Sequence, residues 1–135
     1  MEVIEENEII KSEGNDLTVS LLKAFRETSG LEYNIFIKVR KGLFCGSESF
    51  YLHHNHLLSI LDSLTAMHEK LTGQCEIKEE FEEPFIIFKM GKYGHMSVYG
   101  QFGETNNGTY LNFELISDQT VLPLLINTIK SFLIN

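Results

Sequence analysis

Residues 94–122 read GHMSVYGQFGETNNGTYLNFELISDQTVL, and this stretch decides the fold. Val98, Phe102, Leu111, Phe113 and Leu115 recur with a period of two, the mark of two half-buried strands. Between the strands, Asn106, Asn107 and Gly108 accept the positive φ that a tight reversal demands. Asp118 and Thr120 then offer side-chain oxygens to the unpaired N–H groups at the start of a helix. The unit is a hairpin closed by a helix, and nothing in it looks catalytic.

Working outward, the helix that follows lies near residues 119–133. Leu122, Leu125, Ile126, Ile129, Phe132 and Leu133 fit one apolar stripe, and Pro123 falls in the first turn, where N–H groups have no intrahelical acceptor. Upstream, Gly91 to Gly94 make a turn. Phe85 to Met90 is apolar on both alternations, which predicts a central strand covered on both faces. The Glu83–Pro84 step marks a boundary. Residues 54–72 read as another helix, with Leu57, Leu61, Leu64, His68 and Leu71 on its apolar stripe, Leu58 and Met67 widening it, and Gly73 as its stop.

Leu31 to Lys41 is the cleanest strand. Leu31, Tyr33, Ile35, Ile37 and Val39 face one way, while Glu32, Asn34, Lys38 and Arg40 face the other, with Phe36 the exception. Gly42 turns the chain into a return strand, Leu43 to Leu52, in which Gly46 marks a bulge or a close approach. Leu17 to Phe25 reads as a strand and 26–30 as a loop. Residues 1–16 form a loosely attached acidic segment. Within it, Val3-Ile4 and Ile9-Ile10 suit short edge pairing, and residues 12–16 suit a turn. The expected fold is α+β, a single domain over residues 1–135: a twisted, mainly antiparallel sheet of about 7–8 strands with two helices packed on it.

Composition bounds the function. At 135 residues with 43% hydrophobic content, the chain builds a core without staples. No apolar run approaches the length of a membrane span, and the start MEVIEENE is acidic where an export signal is basic, so a cytoplasmic location is expected. The formal net charge of −8 disfavours direct contact with nucleic-acid phosphates and suits a basic partner. Cys45 and Cys75 are two free thiols by this reading.

Candidate chemistry is sparse. His53, His54 and His56 place a His-x-x-His pair at a helix start, but spacing supplies no third ligand, and the plain reading is a surface cluster with His54 or Asn55 near the cap. His68 reads as a core or boundary histidine. Cys45 paired with His53 or His54 would make a thiol–imidazole couple, but no nucleophile motif surrounds it. Gly91, Gly94, Gly100 and Gly103 do not join a strand to a helix N-terminus, so they read as turn and bulge glycines and not as a phosphate loop. No catalytic residue, metal or cofactor is expected. The most suggestive surface feature is the acidic run of Glu76, Glu79, Glu80, Glu82 and Glu83. It reads either as a solvated edge that discourages aggregation or as a steering patch for a basic partner.

Three sets of residues carry a resemblance: Gly94-His95-Met96-x-Val98-x-Gly100, then Leu111-x-Phe113, then Asp118-Gln119-Thr120-x-Leu122. On these, and on the order of elements from residue 17 to 133, the chain resembles the WapI-type immunity protein family. It departs from that family's pattern at His53–His56. The resemblance implies a small cytoplasmic protein that binds the C-terminal domain of a bacterial polymorphic or contact-dependent toxin, commonly a nuclease, and protects its own cell by occlusion. It implies no residue roles, because the shared motifs are scaffold. The toxin-binding candidates remain Glu76, Glu79, Glu80, Glu82 and Glu83, with a basic toxin domain as partner and neither nucleic acid nor membrane. Two other readings are carried: a small-ligand or enzymatic pocket near His95 and Tyr99, and a homo-oligomer joined through a strand edge.

Overall fold

The computed structural model describes the backbone of residues 2–3, 7–11, 17–26, 32–41 and 43–134, and the side chains of 32–40 and 43–133. The expected turn at 12–16, residues 27–30 of the expected loop at 26–30, Leu31 and the Gly42 turn lie outside the described residues, while Arg26 is the last residue of a strand and not part of a loop. The elements run β1 (Glu2–Val3), β2 (Asn7–Lys11), β3 (Leu17–Arg26), β4 (Glu32–Lys41), β5 (Phe44–His53), α1 (His54–Lys70), β6 (Gln74–Lys78), β7 (Phe85–Met90), β8 (His95–Glu104), β9 (Thr109–Asp118) and α2 (Val121–Ile134).

The α+β class holds, but the single sheet of about 7–8 strands is corrected. Among the described residues there are two antiparallel sheets. The first has the order β1-β3-β4-β5 with β2 also beside β3, and the second is the meander β6-β7-β8-β9. Each sheet is followed by a helix, and α1 is the connection between them. A helix of 17 residues spans about 25 Å, too far for β5 and β6 to be hairpin neighbours. The acidic N-terminal segment contributes two strands: β1 pairs with the end of β3 through Val3–Phe25, and β2 with its first half through Asn7–Leu21.

Period-two patterning places the core. Tyr33, Ile35, Ile37 and Val39 of β4 are buried on one face, and their cross-strand partners Leu52 and Phe50 extend it onto β5. In the second sheet Cys75, Phe88, Val98 and Leu115 form one buried row across all four strands. Leu57, Ile60, Leu64 and Met67 of α1, with Leu122, Leu125, Ile129 and Phe132 of α2, join both sheets in one apolar cluster. Phe50 and Phe102 meet edge to face at 6.2 Å, where the first sheet touches the second.

Four element-level expectations change. β7 is buried on one face only: Ile86, Phe88 and Met90 are inside, Phe85 and Ile87 are half-covered, and Lys89 is exposed. The buried stripe of α1 runs through Leu57, Ile60, Leu64 and Met67 and leaves His68 in solvent: the expected and observed sets both step by threes and fours, but the observed one takes the three-residue step first and so lies on a neighbouring line of the helix surface. Helix α1 stops at Leu71, in the left-handed region at φ 54°, whose N–H reaches the Met67 carbonyl at 2.8 Å; Gly73 lies just beyond. Of the two side chains expected to offer oxygens at the start of α2, the Asp118 carboxylate accepts both the N–H and the hydroxyl of Thr120, so the Thr120 hydroxyl donates to Asp118 and closes the turn before the helix.

Candidate functional site

Three short segments come together at one end of the molecule. The β6–β7 turn covers residues 79–84, with the Glu82 N–H donating to the Glu79 carbonyl at 3.3 Å. The β8–β9 reversal is a 3-10 turn, Thr105–Asn107, released by Gly108 at φ 75°, as the Asn-Asn-Gly run predicts. The third segment is residues 48–51 of β5. Carboxylates tie these segments together. Glu83 accepts the Thr105 hydroxyl at 2.7 Å and its N–H at 3.0 Å. Glu48 accepts the Gly103 N–H at 2.9 Å, and Glu79 accepts the Tyr51 N–H at 2.8 Å.

The five glutamates of the acidic run therefore separate into three kinds. Glu79 and Glu83 are braces between segments. The Thr105 hydroxyl, then the Gln101 side chain and the Thr105 N–H, hold the Glu83 carboxyl below its ordinary 4.5. Glu76 leaves the turn altogether and stands on the outer face of the second sheet, in a cross-strand row with Ile87, Tyr99 and Glu114. Only Glu80 and Glu82 project at the tip, both exposed. Between them is Phe81, 93% exposed with its backbone at φ 68°. A bulky side chain pays for that conformation, and no packing of the ring offsets it. Sequence reasoning passed over Phe81 and Glu48: an isolated apolar residue in an acidic run, and an acid in an apolar strand, carry no periodic signal.

Next to the β8–β9 reversal, a cavity of about 320 Å³ opens between the start of β5 (Phe44, Gly46, Ser47) and the β8–β9 hairpin (Phe102, Tyr110, Leu111). Gly46 lets Leu111 approach β5 closely in its wall: a Cβ there would stand 2.8 Å from Leu111 Cδ2. Its exposed lining is partly apolar, with Phe44 76% and Tyr110 49% exposed. Neither His95 nor Tyr99 lines this cavity. His95 is exposed and faces Asp118 across β8 and β9, while Tyr33, buried, meets His54 Nδ1 at 3.1 Å through its hydroxyl.

The remaining candidates are dispersed. His53, not His54 or Asn55, caps α1: its Nδ1 accepts the Asn55 N–H at 3.2 Å. Among the described residues no group of three His, Cys, Asp or Glu is gathered to hold a metal. Cys45 and His53 stand eight residues apart on one extended strand, about 26 Å at the usual rise, so they do not couple. Both cysteines are free. Cys45 is exposed, whereas burial, and then Glu76, push the Cys75 thiol up to about 12.

The described polar groups brace segments of a two-sheet scaffold, and its exposed end joins acidic to apolar surface. The model of the immunity protein WapI-like family matches residues 8–134, nearly the whole chain, and the chain belongs to that family. Searches of the curated proteins and of the solved structures return no match. Among the described residues, no helix is long and apolar enough to cross a membrane.

Proposed function

We propose that this chain binds the C-terminal domain of a cognate toxin, a basic domain with nuclease activity, and neutralises it in the cytoplasm by covering its working surface. The chain acts as one domain, without catalysis and without a cofactor. The observation that carries this reading is the turn at 79–83, where a strained, solvent-facing phenylalanine is held between two free carboxylates. Strain that no internal packing repays is retained where it serves a contact. An aromatic anchor inside an acidic surround has the makings of a hot spot that meets a basic surface. Glu80 and Glu82 steer the partner, Glu76 extends the negative field along the sheet, and Glu79 and Glu83 hold the turn in shape.

Stoichiometry tests this. The neighbouring reading frame is searched for a toxin, and its C-terminal domain is titrated with the purified protein while its activity is followed. Inhibition complete at one equivalent, with a co-eluting complex, is expected of occlusion. Inactivation by a small fraction of an equivalent would instead mean an enzyme.

A further inference from the structure

We infer that the open edge of β5 at Cys45 and Ser47, with the cavity beside it, receives an extended segment of a basic partner as an added strand. This deepens the proposed function, on which it rests, by naming how part of the partner is held.

Among the described residues β5 pairs only with β4, and that pairing runs without a register shift from Glu32–His53 to Lys41–Phe44. In an unbroken antiparallel pair, alternate residues turn their N–H and C=O groups away from the neighbour. The Tyr51 and Ser49 amides identify which set that is, because both donate to carboxylates and not to β4: Tyr51 to Glu79 of the β6–β7 turn at 2.8 Å and Ser49 to its neighbour Glu48 at 3.2 Å. The outward set thus includes Cys45 and Ser47, and carboxylates occupy the donors only in the second half of the strand. The first half is the part that borders the cavity.

Edge strands are commonly blunted along their length, and this one is blunted along half of it. The exposed half offers what strand addition requires: main-chain groups for pairing and a pocket for a side chain. At about 320 Å³ the pocket has room for a large apolar side chain. Phe44 and Tyr110 are exposed apolar residues of its lining. Charge selects the occupant. Glu48 stands on the strand at the end of the cavity, and Glu104 is the cross-strand partner of Thr109 in its wall. With a net charge of −8, a second copy of this chain is repelled, whereas a segment alternating basic and apolar residues is drawn in.

The test uses a defined probe, the blocked hexapeptide Lys-Val-Lys-Phe-Lys-Val, followed by amide NMR on the whole chain. Shift changes centred on Cys45, Ser47, Gly103 and Tyr110 are expected, with slowed hydrogen exchange at Cys45 and Ser47. Ser47→Pro removes one outward donor at an exposed edge position, where proline costs no ladder bond. It should weaken the peptide at least tenfold and leave the remaining amide spectrum folded. A peptide with glutamate in place of lysine should not bind. No shifts at these amides at millimolar peptide, or binding unaltered by Ser47→Pro, overturns the inference. Shifts that instead follow protein concentration without peptide would place a second copy in the groove and overturn it too. The toxin titration above reads the proposed function separately, so one can fail while the other stands.

Discussion

Phe81 carries the sharpest single-residue consequence of this structure. At φ 68° a residue with a Cβ is strained by roughly 1–2 kcal/mol, and a ring 93% exposed recovers almost none of it. Phe81→Gly should therefore raise thermal stability, by about 1 kcal/mol once the added freedom of the unfolded chain is subtracted. The same substitution should weaken toxin binding by at least tenfold, since aromatic anchors carry a disproportionate share of interface energy. Calorimetry beside a binding isotherm checks both signs. Such a site was only half legible in the sequence. The five glutamates are plain in the run C-E-I-K-E-E-F-E-E, but nothing there separates the two that brace, Glu79 and Glu83, from the two that project. That division depends on Tyr51 and Thr105, which lie 28 and 22 positions away.

At the scale of elements, the hairpin of β8 and β9 follows directly from its alternation. The predicted face is the observed one, with Val98 opposite Leu115 and Phe102 opposite Leu111. Gly100 within it is a close-approach point: a Cβ would stand 2.3 Å from the Phe85 carbonyl oxygen and 2.9 Å from Phe113 Cζ. Gly100→Ala must push β7 from β8 or expel the Phe113 ring, and a loss of about 1–3 kcal/mol is expected in chemical denaturation. Other elements were less legible for physical reasons. Strand β6 hides in the acidic run, although Cys75 and Ile77 alternate inward, because charge masks a two-residue period. The stripe of α1 was misplaced by leucines on two faces: Leu58 is exposed and Leu61 half-buried, while Ile60 is inside. Local pattern reports that a face is apolar, and only packing against α2 and β6 decides which one is covered.

For the whole molecule, the division into two sheets was not legible, since a period of two does not say which sheet a strand joins. What that division achieves is the meeting of β5 with the second sheet, through Phe50 and Phe102 in the core and through Glu48 and Glu79 at the surface. The core fixes the positions of the turns, and the turns present an acidic, partly apolar end. The central claim is that this end finds and covers a basic toxin domain. Its most direct test is the association rate constant for that domain, measured across ionic strength with the wild-type chain and with Glu80→Lys/Glu82→Lys. The account predicts association slower by on the order of tenfold at low salt for the variant, with a flatter salt dependence. Equal rates and equal salt slopes for the two proteins would contradict it.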